Sequence, residues 1–146
     1  MFGVNLQAQD PGESFETNDL DVLLRADVPT LKSALAALSK AGFTFASGGE
    51  PFIDLEDDQA LATVLQYRVT LRGVFDDVTV LDLMLEMTGW SHDDVASDAI
   101  VFNAYGHPVR VAALERLIES KRRAGRPKDL AFLAHYAAVM AEKKPR

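Results

Sequence analysis

Cysteine is absent from the 146 residues. A disulfide framework, a thiolate zinc site, an iron–sulfur cluster and a cysteine nucleophile are thereby excluded. No run approaches the ~18 consecutive apolar residues of a membrane-spanning helix. The opening residues MFGVNLQAQDPGE lack the basic segment and apolar stretch of a secretory leader, which makes the cytoplasm the expected location. The three histidines, His92, His107 and His135, have no partner at ligand spacing, so no imidazole metal site is expected. Repeats, low-complexity tracts and linkers are also missing, so residues 1–146 read as one domain.

What is present suits a folded chain. Hydrophobic residues make up 48% and charged residues 25%, enough apolar matter for a core and too much for a disordered chain. The formal net charge of -7 is unevenly placed. Residues 1–109 carry 18 acids and 5 bases, whereas residues 110–146 carry 4 acids and 10 bases. An acidic body thus precedes a basic end. Two solvated faces of opposite sign would explain this, as would acids that hold a cation and bases that hold a polyanion.

Local patterns give an α+β chain with a mixed sheet, flanking helices and a C-terminal helical pair. Residues 1–18 read as irregular, with a turn at Asp10-Pro11-Gly12. Leu20–Leu24 reads as a buried strand. Asp27 caps a helix that carries Pro29 in its first turn and a Leu31, Leu35, Leu38 stripe, and Gly42 stops it. Phe43–Ala46 and Pro51–Leu55 flank a Ser47-Gly48-Gly49 turn. The β-branched and aromatic content of Leu61–Leu71 predicts mostly strand from Thr63 on. Val78–Leu85 is the most apolar segment and predicts a central strand. Ile100–Tyr105 and Pro108–Val111 predict a hairpin. A helix over Ala113–Ala124 should turn Leu114, Leu117 and Ile118 inward. The last helix, from Pro127, should bury Leu130, Leu133, Ala134 and Ala137.

Three features carry chemistry. Asp19 and Asp21 lie two apart on a strand, so both carboxylates share one face while Leu20 and Val22 face the core. Paired like charges repel unless a cation lies between them, and oxygen-only ligands favour Mg²⁺. Asp82 sits inside the apolar Val78–Leu85 run, where an unpartnered acid is costly. If that strand neighbours the first, Asp82 completes a three-carboxylate cluster suited to metal-assisted phosphoryl transfer. Third, five cations (Lys121, Arg122, Arg123, Arg126 and Lys128) fall within eight residues and Asp129 follows. Lys121 lies near the core edge, and Lys128 and Asp129 open the last helix, whose free amides attract anions. Lys121 and the helix start can hold a phosphate, or Lys121 and Asp129 can form a structural ion pair. Arg122, Arg123 and Arg126 also offer a weaker nucleic-acid surface, which the net charge opposes. Asp54–Asp58 reads as a solvated turn, and Ser91 with Asp93 and Asp94 as a helix start.

Taken together, Thr17–Val22 (T-x-D-[IL]-D-V), Asp82 in VTVLDLM, and Leu114–Leu130 (L-x-x-L-I-x-S-K-x-x-x-G-R-P-K-D-L) resemble the minimal nucleotidyltransferases of the DNA polymerase β-like superfamily. The AbiEii-like and toxin–antitoxin-associated members are the most similar. The resemblance implies that Asp19, Asp21 and Asp82 bind Mg²⁺ and that Lys121 and Asp129 serve the nucleotide, to which Lys128 is added by its place in the first turn of the last helix. It also implies a nucleoside triphosphate donor and transfer of a nucleotidyl group to a hydroxyl on protein, RNA or a small molecule. The family's Gly-Gly or Gly-Ser phosphate motif is represented by Gly3 alone, so the chain reads as N-terminally shortened relative to the family. A second reading follows: a binding module, an antitoxin or regulatory subunit, that keeps the fold without the chemistry, paired with a toxin partner or as a homodimer.

Overall fold

The structure, a computed structural model, describes residues 2–7 and 16–143. Its elements in chain order are β1 (Phe2–Gln7), β2 (Glu16–Leu23), α1 (Val28–Ala41), β3 (Thr44–Ser47), β4 (Glu50–Phe52) and α2 (Asp58–Gln66). Then come β5 (Leu71–Phe75), β6 (Thr79–Met84), α3 (His92–Ala96), β7 (Ile100–Ala104), β8 (His107–Val111), α4 (Leu114–Ala124) and α5 (Pro127–Lys143). The eight strands form one mixed sheet in the order β4-β3-β5-β6-β2-β1-β8-β7. Neighbours are antiparallel except β2 with β6 and β1 with β8. Among the described residues, no helix is long and apolar enough to cross a membrane.

Alternation along the strands feeds two cores. Val22, Phe45, Leu71, Leu81 and Leu83 face α1 and α2 and pack on Leu31, Leu35, Leu61 and Val64. Leu23 and Met84, one residue out of phase, face the other way and pack with Val95, Ala112 and Leu117 beneath α3 and α4. The central strands are thus covered on both faces, while β7 at the edge is exposed along its length, and the helical pair stands on the second face.

Local chemistry explains the boundaries. Asp27 accepts a hydrogen bond from the Thr30 amide at 2.7 Å and starts α1, with Pro29 in the first turn. Gly42 ends α1 at φ 108°, in the left-handed region, and a Cβ there would come within 2.9 Å of the Phe75 ring. Ser91 and Asp94 form the reciprocal cap that opens α3, as its sequence suggests. The Tyr105-Gly106 link closes the β7–β8 hairpin, with both residues at positive φ.

Several expectations are corrected. Residues 2–7 are a strand rather than irregular chain, paired antiparallel with β2, whose extent is longer than Leu20–Leu24. The Asp10-Pro11-Gly12 turn lies outside the described residues. Residues 63–66, expected as strand, belong to the helix α2, and the strand that follows begins only at Leu71. Asp57 accepts from the amides of Gln59 and Ala60, and this cap outweighs the β-branched content of Thr63 and Val64, while Leu61 and Val64 pack inward three residues apart. Leu20 shares the face of Val22 but is 37% exposed. Leu114 is exposed, while Ile118 is buried. In α5 the inward residues are Asp129 and Phe132, with Leu130, Ala134 and Ala137 exposed. The buried face begins at a charged residue, so a stripe drawn through apolar residues alone is rotated from the true one.

The α2 cap gives a direct test. Asp57→Ala should lower unfolding stability by about 1 kcal/mol, and Glu56→Ala beside it should change it by less than about 0.5. Urea titration measures both, and equal effects would show that the cap does not hold α2.

Candidate functional site

The parallel register of β2 and β6 sets Asp21 directly beside Asp82 and Asp19 beside Val80. Leu20 and Val22 are matched with Leu81 and Leu83 on the opposite face. On the far side of β6, the antiparallel register sets Arg72 of β5 beside Asp82. A row therefore crosses three adjacent strands: Asp21, Asp82, Arg72. Asp19 lies one pleat away, on the same face as Asp21. The three aspartates that are 63 residues apart at their widest in the chain, at 19, 21 and 82, line one cleft of about 350 Å³.

The second wall of the cleft is basic. α4 and α5 bring Lys121, Arg126, Lys128 and Asp129 to face the row. Leu23, Met84, Met87, Val95 and Leu117 give the cleft an apolar floor. α4 is held over the sheet by the segment after β6. The Thr88 hydroxyl meets Ser120 Oγ at 3.1 Å, and Arg123 donates to the Thr88 carbonyl at 3.1 Å. Trp90 lies between the guanidinium groups of Arg116 and Arg123, at 4.9 and 4.0 Å from its ring centre.

Asp129 is the centre of the basic wall. Its carboxylate is fully buried. Arg126 donates Nε at 2.6 Å and Nη2 at 3.2 Å to its two oxygens, and the Arg126 amide donates as well. Lys121 Nζ lies 3.8 Å away. Burial pushes the Asp129 carboxyl up, but the Arg126 bonds and charge outweigh this, so it titrates below the usual carboxylate range. The ion pair between Lys121 and Asp129 is therefore present. Asp129 is buried behind the cations and orients them, so Lys121 and Arg126 are the groups of this wall presented to the cleft. Arg122 pairs with Glu119, Arg123 covers Trp90 and Arg126 holds Asp129, so the three arginines considered for nucleic acid are each engaged within the fold.

The two walls are unlike in a further respect. Burial first, and then the charges of Asp82 and Asp19, raise the Asp21 carboxyl to about 6, against the opposing pull of Lys121 and Lys128. Burial lowers the Lys121 ammonium below its ordinary value; the charge of Asp129 opposes this, with a smaller pull from Asp21, while Arg126 and Lys128 add to the lowering. One wall is short of positive charge and the other is short of negative charge.

Asp82 has a partner of its own. Arg72 donates Nε to one of its oxygens at 3.0 Å and Nη2 to the other at 3.1 Å. Arg72 stands outside the sequence reading, because the strand assigned to Leu61–Leu71 stops one residue short of it. The signal was the alternation Leu71-Arg72-Gly73-Val74, which buries Leu71 and Gly73 and turns Arg72 to the other face. Gly3 is placed differently from the expected phosphate motif. It lies in β1 opposite Asp21, inside an antiparallel ladder rather than at a helix start.

The donor set suits a hard divalent cation, since it offers only carboxylate oxygens from one face of adjacent strands. Among the described residues, no three acidic or imidazole side chains stand ready as a ligand set, and both Asp82 oxygens are shared with Arg72.

Two measurements follow. Asp21 is protonated more readily in the folded chain than in the unfolded one. Its favourable contribution is complete below pH ~3.8 and is lost as the pH rises through about 6. Asp21→Asn should therefore stabilise the fold at pH 7.5 by about 1–2 kcal/mol after solvent screening, and by less at pH 4.5. Denaturation at the two pH values checks this, and a pH-independent difference would contradict it. Asp129→Asn should destabilise by about 3 kcal/mol, because Arg126 and Lys121 lose their buried counter-charge. Lys128→Gln, on the exposed side, should change stability by less than about 0.5 kcal/mol.

Comparison with protein-family models, with curated proteins and with solved structures gave no match to this chain.

Proposed function

We propose that this chain is a minimal nucleotidyltransferase-fold protein of the DNA polymerase β-like type. In this reading it binds a nucleoside triphosphate with Mg²⁺ and transfers a nucleotidyl group to an acceptor hydroxyl. The observation that carries the reading is the cleft with two unlike walls. Asp19, Asp21 and Asp82 make one wall acidic, and the half-buried Lys121 with Lys128 makes the other basic. A magnesium–triphosphate complex has both charges at the spacing of one small ligand. The likeness of Thr17–Val22, Asp82 and Leu114–Leu130 to the family motifs points the same way.

Asp19, Asp21 and Asp82 would hold the Mg²⁺, and that ion would neutralise charge on the triphosphate. Lys121 and Lys128 bind phosphate oxygens at the start of α5, where free amides add to the attraction. Asp129 keeps Lys121 and Arg126 turned toward the cleft. The apolar floor from Leu23 to Leu117 supplies the dry surface on which a base or ribose can lie. In the transfer, the acceptor oxygen bonds to the α-phosphorus and the bond to the β-phosphate bridging oxygen breaks. Pyrophosphate leaves with the electron pair, and an aspartate of the row takes the hydroxyl proton.

One observation favours the second reading, a binding module without turnover. Gly3 sits in a strand and provides no amide cradle for the triphosphate. The two readings share the metal–nucleotide site and part at turnover.

Calorimetric titration of Mg²⁺ with each of the four ribonucleoside triphosphates tests the site. Wild type should bind one of them, and Asp21→Asn should bind it at least about tenfold more weakly. Equal affinity in the two proteins would refute the assignment. Transfer of an α-³²P label to protein or RNA separates the enzyme from the binding module.

A further inference from the structure

Arg72 reaches the carboxylate row from the strand side, across from the basic helices. Its guanidinium forms a two-point pair with Asp82, yet the Arg72 side chain is 55% exposed and that of Asp82 is 15% exposed. The exposure lies on the arginine side, so the guanidinium can leave the largely buried carboxylate for water at a modest cost. The arginine also feels Asp19 and Asp21, so it serves as counter-charge to the whole row. A divalent ion that takes Asp82 as a ligand must take an oxygen that Arg72 now shares. It must also tolerate a guanidinium a few ångströms away, which like-charge repulsion disfavours. The two cations therefore compete for one carboxylate. An arginine released from Asp82 is long, largely solvated and already on the cleft wall. Its planar fork matches phosphate oxygens as well as carboxylates.

We infer that Arg72 is an exchangeable counter-ion: it holds Asp82 until a divalent cation claims that carboxylate, and then turns its guanidinium to the triphosphate that comes with the cation. The inference rests on the reading of the row as a metal–nucleotide site. It adds a residue that no family motif quoted above contains. Arg72 is in this account a positioning residue for Asp82 and a binding residue for phosphate.

The two roles predict effects of opposite sign, which a merely structural arginine cannot give. Mn²⁺ alone is the first probe, followed by electron paramagnetic resonance. Mn²⁺ with inorganic tripolyphosphate is the second, so that no base preference enters. Arg72→Gln should bind Mn²⁺ alone about three- to tenfold more tightly than wild type, because the competing cation is gone. The same variant should bind the Mn²⁺–tripolyphosphate complex about three- to tenfold more weakly, because one charged hydrogen-bonding fork is gone. Arg72→Lys, which keeps the charge and loses the fork, should fall between the two proteins in both titrations, and it serves as the folded reference if Arg72→Gln melts early. Unchanged or weaker Mn²⁺ binding in both variants overturns the inference while leaving the metal site standing. Tighter Mn²⁺ binding with unchanged tripolyphosphate binding overturns the hand-over to phosphate. If wild type and both variants bind no Mn²⁺, the metal–nucleotide reading fails and the inference falls with it.

Discussion

Everything in the cleft depends on the parallel pairing of β2 with β6, which sets the carboxylates of Asp21 and Asp82 side by side. Two acids at matched positions on neighbouring strands repel each other, and such pairs are unfavourable in a sheet built only for stability. The cost shows in the carboxyl of Asp21, which burial and its neighbours hold at about 6. The opposite face of the same two strands is an ordinary core of Val22, Leu81 and Leu83, in which nothing opposes the register. The apolar face thus fixes the alignment, and the acidic face has to accept the consequence. A chain that keeps such an arrangement breaks a local rule in one place, and that is the pattern expected of a site with work to do.

The basic wall answers this constraint from across the cleft, and it is built in the reverse way. Asp129 is a buried acid in a cationic setting, whereas Asp21 is a half-buried acid in an acidic one. Arg126 satisfies Asp129 almost completely, and Lys121 shares the remainder at 3.8 Å. Lys121 is left with less counter-charge than its burial calls for. Asp129 therefore does two things at once: it joins α4 to α5 and it leaves a partly desolvated ammonium facing the carboxylates. The linear split of charge, acidic to residue 109 and basic beyond it, becomes in three dimensions a charge gradient across one cleft.

How much of this the sequence shows depends on range. Short-range chemistry is legible. Asp27, Gly42, Ser91 and the Tyr105-Gly106 turn each mark a boundary with their own side chain or backbone freedom, and the structure places those boundaries there. The alternation at Asp19 and Asp21 and the lone acid of Asp82 were also legible, because period-two patterning needs no knowledge of neighbours. Thr63, Val64 and Tyr67 favour a strand from Thr63 on by composition, but the deciding interaction is the Asp57 cap, which makes the chain helical through Gln66. The inward face of α5 was misread for a related reason. Asp129 is buried through a pair with Arg126 three residues earlier, and no hydrophobic stripe reports a buried ion pair. The alternation Leu71-Arg72-Gly73-Val74 shows that Arg72 leaves the core face, but its pairing with Asp82 comes from the register of β5 against β6, which no local pattern reports.

Arg72 and Gly3 bear on the same question from opposite ends of one row. Gly3 stands beside Asp21, Asp21 beside Asp82 and Asp82 beside Arg72. A glycine within a ladder spends its backbone groups on strand pairing, so it offers a triphosphate little. In the proposed reading the anion would then be gripped by side chains that line the cleft: Lys121 and Lys128 from the helical wall, and Arg72 from the sheet once its carboxylate is claimed. Side chains hold phosphate at an entropic cost that fixed amides avoid, because each long side chain must be ordered anew. A site of this kind gains affinity chiefly when metal and polyphosphate arrive together, since each frees or completes the partner of the other. That coupling follows from the placement of one arginine between an acid and an open cleft.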